Sequence, residues 1–227
     1  MVLAAKVFIV REDIDLDTIA KKLKNYKSIE LFEYDGRKIE LITEITNLNM
    51  VAESLKGIFS QDQILNVFHH GEIIPIPKTI VAPFIFNKVG DKLLLTILEK
   101  KERANNIANQ LSKILFITTG YIVEVRIPPE VLKRFHEDNY EDAKVIFFDE
   151  VDIPNIKKLS LYGSELSNTT LYDDYCAHGK IWYVVVKSKK YGYIVGVTRN
   201  AVITVFSKIG EDELINYIIN EIYPLIV

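Results

Sequence analysis

The chain has 227 residues, of which 48 % are hydrophobic and 26 % charged, with a net charge of −3 at neutral pH and one cysteine. That balance belongs to a globular protein with a sizeable core. It excludes a disulfide framework and a broadly basic nucleic-acid binder, because phosphate neutralisation needs clustered Lys and Arg. The opening MVLAAKVFIVREDIDLDT has its apolar run broken by Lys6 and followed by acids. Neither a signal peptide nor a membrane span is therefore expected, and a cytoplasmic setting follows.

Residues 4–10 read as a strand, and Asp15 caps a helix to about Lys27 in which Leu16, Ile19, Ala20 and Leu23 share a face. Residues 28–46 form a hairpin about Asp35-Gly36, a dipeptide suited to a two-residue turn between alternating runs. Two weaker strands follow, ESLKGIFS and QILNVFHH, then GEIIPIPKTIVAPFIFNK, where Pro75, Pro77 and Pro83 restrict the chain to an edge, a bulge or an extended connection. A second hairpin turns at Val89–Lys92. An amphipathic helix from Lys100 to Leu115 closes this half.

The second half opens with a strand at Tyr121–Ile127 and a helix PEVLKRFHED begun by Pro128-Pro129. AKVIFFDEV is a strand, and an acidic loop leads through Pro154 to KKLSLYGSEL. Residues 169–178 make a short helix stopped by Gly179. Three strands (IWYVVVK, YGYIVGVT, AVITVFS) precede a last helix from Glu211 to about Tyr223, with acids in its first turn. The expected fold class is α+β. Antiparallel sheets each carry amphipathic helices on one face, in two halves of similar order, strand–helix–strands–helix. The expected domains are 1–117 and 118–227, joined tightly near Phe116–Gly120.

On these segments the chain resembles the two-repeat saddle of the TATA-binding-protein-like fold. DLDTIAKKLKN is similar to that family's first helix, and VITVFSKIGEDELINYIINEIYPLI to its closing strand and helix. Together they cover 36 of the 227 residues. The family's strand with a DNA-wedging phenylalanine before a small-Gly-Lys turn has no counterpart here, so the resemblance implies topology and not TATA binding.

Motifs for nucleotide loops and for the nucleophile elbow are absent from the sequence. His69, His70 and Glu72 are candidate metal ligands, but a usable site needs three or four convergent donors, and adjacent strand residues point to opposite faces. Asp149, Glu150 and Asp152 follow a strand and could hold a cation or exchange protons, with Asp173-Asp174 as a distant supplement. Cys176 and His178, two apart on a helix, do not face each other and read as packing. Gly192 and Gly196 mark a bulge or a close backbone approach. Phe84, Phe86, Tyr183, Tyr191, Tyr193 and Phe206 lie on expected strands and could stack bases. Lys187, Lys189 and Lys190 beside Tyr191 and Tyr193 make the most basic turn, a candidate nucleic-acid contact.

The leading expectation is a non-enzymatic module that binds another protein or a second copy of itself, without a cofactor and without a membrane. The alternatives are a nucleic-acid binder using the Lys/Tyr turn and a metal-dependent hydrolase with an unfamiliar site.

Overall fold

The structure, a computed structural model, describes residues 2–139 and 144–226. In chain order its elements are β1 (Leu3–Val10), α1 (Leu16–Leu23), β2 (Lys27–Tyr34), β3 (Arg37–Val51), β4 (Ser54–His69), β5 (Glu72–Val89), β6 (Lys92–Ile97), α2 (Lys101–Phe116) and β7 (Ile122–Glu124). There follow α3 (Pro129–Asp138), β8 (Val145–Asp149), β9 (Leu159–Tyr162), α4 (Thr170–His178), β10 (Lys180–Lys187), β11 (Ile194–Thr198), β12 (Val202–Val205) and α5 (Glu211–Tyr217). The strand read from Ala143 begins outside the described residues. The last helix does not run on as one α-helix. It passes through a π turn at Ile218–Ile222 into a 3-10 turn at Tyr223–Leu225.

The expectation of separate sheets, each faced by amphipathic helices, is overturned. The strands form one twelve-stranded antiparallel sheet in the order β2-β3-β4-β5-β6-β1-β12-β11-β10-β8-β9, with β7 pairing to β1. Strand accounts for 45 % of the chain and helix for 28 %. The physical reason lies in strand length. β5 has 18 residues and extends roughly 60 Å at the rise of a strand, whereas the 16 residues of α2 reach roughly 24 Å. Helices of this size leave most of such strands without a helical cover. The expected halves of similar order differ: α4 interrupts the strands of the second, and the strand orders differ too. In the first, β3 lies between β2 and β4, while in the second β8, not β9, lies beside β10.

The chain divides into two compact units, one of Met1–Phe8, Leu98–Ala104 and Glu124–Val227, the other of Ile9–Ile97 and Asn105–Val123. In the latter, Asp15 caps α1 by accepting from the Thr18 N–H at 2.6 Å, and Ile19 and Leu23 are buried. Its core combines these with Leu55, Phe59, Phe84–Phe86, Leu94, Leu95 and Leu111. Four hairpins close on two-residue turns, between Tyr34 and Arg37, Val51 and Ser54, His69 and Glu72, and Val89 and Lys92. Asp35-Gly36 and His70-Gly71 all take positive φ, the conformation that a tight hairpin with right-handed twist requires.

β4 absorbs both weaker strands, and β5 runs unbroken through its three prolines. Pairing with β6 begins only at Phe84. Pro75, Pro77 and Pro83 thus all lie where β5 has β4 alone as a neighbour, and their common parity puts the missing N–H groups on the open side.

In the other unit, Phe135, Phe148, Val184, Val197, Ile203, Leu214 and Ile222 are buried. Pro129 starts α3 and the Thr169 side chain caps α4, as the sequence signals indicate. β10 carries a bulge: Ile181 faces Phe148 and Tyr183 faces Phe147, leaving Trp182 as the extra residue.

Candidate functional site

The part of the molecule least explained by packing is the ribbon formed by the outer lengths of β2, β3, β4 and β5. β3 and β4 are paired from Val51↔Ser54 to Thr43↔Gln61, and there the ladder stops. Asp62 ends it. Its carboxylate accepts from the Ile42 N–H at 3.0 Å and from the Thr79 hydroxyl at 2.6 Å. Those hydrogen bonds, first that of Thr79 and then that of Ile42, hold the Asp62 carboxyl below the usual carboxylate range. Beyond this point the β2–β3 and β4–β5 hairpins continue separately, and the Tyr34 hydroxyl donates to the Ile73 carbonyl at 3.1 Å.

Directly opposed residues share a sheet face. Gln61 lies on the face that reaches α2, where the Gln110 amide donates to its carbonyl oxygen at 2.9 Å. The same face continues outward as Leu65 opposite Ile76 and Val67 opposite Ile74. Leu65, Ile74 and Ile76 are exposed there. The opposite face presents Phe68, 74 % exposed, against Ile73, 60 % exposed. On β2, Ile29 and Leu31 are exposed as well, Leu31 at 65 %. Singly exposed aliphatic residues are ordinary, but a concentration on one ribbon marks a contact surface. Burying each of these side chains would contribute roughly 1.5–3 kcal/mol.

The sequence candidates fall in several places. His69 ends β4 and His70 occupies the hairpin turn with φ of 48°. Being in a turn, His70 does not point opposite to His69. The two rings meet edge to face with centroids 4.3 Å apart, and both histidines and Glu72 are exposed at the ribbon tip. Among the described residues, no three His, Cys, Asp or Glu side chains converge as metal ligands would.

The Lys187–Tyr193 segment is the β10–β11 connection. Tyr191 and Tyr193 are half-buried, and their rings lie 5.4 and 6.0 Å from that of Tyr217, a buried residue of α5. Lys190 is 3.2 Å from Glu221, and the Tyr193 hydroxyl donates to Glu213 at 3.4 Å. The Lys189 N–H donates to the Asn139 side chain at 2.8 Å, and Lys187 is exposed. Glu221 and Glu213 thus bring negative charge to this turn. Phe84 and Phe86 are buried. Tyr183 covers Gly196, where an added Cβ would lie 2.4 Å from the phenol oxygen, so the close approach at that glycine is a ring packed on bare backbone.

The acids after β8 are engaged by cations. Arg199 forks onto Asp149 at 2.7 and 3.1 Å and reaches Glu150 at 3.4 Å. Lys180 and Arg126 pair with Glu150 at 2.7 and 3.7 Å, and Lys180 foremost keeps its carboxyl below the usual range. Asp152 lies 2.8 Å from His178 Nδ1. Asp173 and Asp174 lie exposed on α4. Burial pushes the Cys176 thiol up, which disfavours the nucleophilic thiolate. Cys176, Arg126, Lys133 and Lys180 border a cavity of about 530 Å³ floored by Pro128, Pro129 and Ile181.

Sequence reasoning missed two groups. The ribbon's aliphatic residues alternate as core strands do, so pattern could not say that nothing covers them. Phe147, Tyr162 and Trp182 form an aromatic cluster with Tyr183, for which the sole tryptophan beside a tyrosine was the available signal. The chain matches no protein-family model, and no curated protein sequence matches it.

Proposed function

We propose that this protein works by binding another protein through the β2–β5 ribbon, with a strand of the partner adding to the free edge of β2. The observation that carries the reading is the run of exposed aliphatic side chains on a ribbon with two open edges of unequal character. Prolines 75, 77 and 83 blunt the β5 edge, because they cannot donate hydrogen bonds to an added strand. β2, the outermost strand, has no proline and keeps its donors and acceptors, flanked by Ile29 and Leu31. Strand addition obtains affinity from main-chain hydrogen bonds and selectivity from alternate side-chain positions. Glu30 and Glu33 favour a partner strand with basic residues opposite them. No helix among the described residues is long and apolar enough to cross a membrane.

The test is affinity capture from source lysate with nuclease present, comparing wild type with the double variant Ile29→Glu/Leu31→Glu. One stoichiometric partner, lost in the double variant while the melting temperature is unchanged, is the expected result. Retention of that partner by the variant, or capture that disappears with nuclease in the wild type, would overturn the reading.

A further inference from the structure

The second site lies far along the chain from the ribbon and is carried by other residues. On β8, β9 and β10, register puts Phe147 opposite both Ser160 and Tyr183, so the three share a face. Tyr162, two residues beyond Ser160, stands on that face too. The bulge at Trp182 turns the indole toward the same group: its ring centroid is 5.6 Å from Phe147 and 5.8 Å from Tyr183. Phe147 and Tyr162 meet at 66° with centroids 5.8 Å apart. The rings are therefore splayed and not stacked flat. They border a cavity of about 260 Å³ together with Lys158, Leu159 and Ser160. That is slightly below the roughly 300–1,000 Å³ of drug-sized sites, space for one ring system with its substituents.

Charge selects the occupant. Lys158 Nζ lies 5.2 Å from the Trp182 ring centroid. A second cation, such as a methylated lysine in an aromatic cage, would meet like charge there. The nearby acids are already engaged, Asp149 by Arg199 and Glu150 by Lys180 and Arg126. Lys157 and Lys158 are exposed and make no ion pair with a carboxylate among the described residues. The Trp182 Nε1 is shielded from solvent and makes no hydrogen bond among the described residues. Aromatic rings beside a lysine that makes no ion pair among the described residues suit a flat ring that carries an anion.

We propose that Phe147, Tyr162 and Trp182, with Lys158 at the rim, bind the base of a nucleotide by stacking while the lysine takes its phosphate. Stacking a base on an aromatic side chain is worth about 1–3 kcal/mol and tolerates any base. The source is a free mononucleotide or a residue of a single strand, and the chemistry recognised is the same.

Trp182 is the only tryptophan, so its emission reports this pocket directly. The experiment titrates the full chain with AMP, UMP, a thymidine oligonucleotide, ribose 5-phosphate and inorganic phosphate. Saturable quenching by the mononucleotides assigns a nucleotide site; quenching by the oligonucleotide alone assigns a single-strand site. Either must weaken about tenfold in Tyr162→Ala and in Lys158→Met, and must weaken as salt rises. Tyr162 is 66 % exposed, so its truncation leaves the fold intact, as the melting temperature will confirm. Absence of saturable quenching with every base-bearing probe overturns the proposal. So does equal quenching by ribose 5-phosphate or phosphate, or quenching untouched by both variants.

Discussion

Lys6, with no exposure to solvent, donates from its ammonium to the Glu124 carboxylate, and the Phe8 ring lies 5.0 Å below the same nitrogen. The lysine that interrupts the first apolar run is thus an interior charge with a partner 118 residues away. Burial is the main influence on it and pulls its pKa down. Removing the partner of a buried charge takes away part of its compensation, a cost that reaches about 3–5 kcal/mol for a fully buried pair. Glu124 is 43 % exposed, so water screens part of this. Glu124→Gln should lower unfolding stability by about 3 kcal/mol, read from guanidinium titration. Lys6→Met should cost much less, because it removes the charge that needs compensation. Equal losses in the two variants would contradict this account.

His136 gives the fold an acid sensitivity. It is fully buried on α3, its ring stacks on Tyr172 at 5.5 Å, and neither ring nitrogen has a hydrogen-bond partner among the described residues. Burial pushes its pKa down to about 4, from 6.5 in the unfolded chain. Between those values the unfolded state binds the proton and the native state does not. Stability therefore falls as pH drops, by about 2 kcal/mol from pH 7 to pH 5. His136→Phe should flatten that part of the pH profile, measured by urea titration. An unchanged slope would assign the acid sensitivity to other groups.

Gly57 faces Phe84 directly across the β4–β5 ladder. A Cβ there would lie 2.6 Å from the Phe84 ring and 2.9 Å from Leu48. Phe84 is buried and held by an edge-to-face contact with Phe86, so it cannot simply swing away. Gly57→Ala is expected to cost about 1–3 kcal/mol by overpacking, although alanine is better suited than glycine to a strand interior. Unchanged thermal stability would show that this ring has room to move.

Asp62 should control where the β3–β4 ladder stops. In Asp62→Ala the Ile42 amide loses its acceptor, and its hydrogen exchange should accelerate at least about tenfold, corresponding to about 1.4 kcal/mol of lost protection. Amides of the Thr43–Val51 ladder should keep their exchange rates. Because the carboxyl sits below its usual range, the native hydrogen bonds favour its charged form. Their contribution is present above the unfolded pKa and fades as pH falls through the lower folded value. Uniform acceleration along β3 would mean that Asp62 supports the whole strand.

Short-range chemistry was legible wherever it sufficed. The Asp15 cap, the Asp35-Gly36 turn and the proline start of α3 all depend on groups a few residues apart, and each occurs where the sequence indicates. The prolines of β5 left an edge, a bulge or an extended connection open, and only the neighbours in the sheet decide for an edge. The expectation that His69 and His70 point to opposite faces assumed a strand through both, whereas His70 belongs to a turn. The Tyr191/Tyr193 reading could not see Tyr217, whose ring packs against both.

Local propensity, alternation and capping are properties of neighbouring residues, and they set which segments of this chain become helix or strand. The merger of the strands into one sheet, the exposure of Phe68 and Ile73, and the gathering of Phe147, Tyr162 and Trp182 depend on distant partners. Alternating apolar residues look the same whether the face they form is covered or bare. Only the tertiary structure decides between the two, because burial is a relation between segments and is written in neither of them alone.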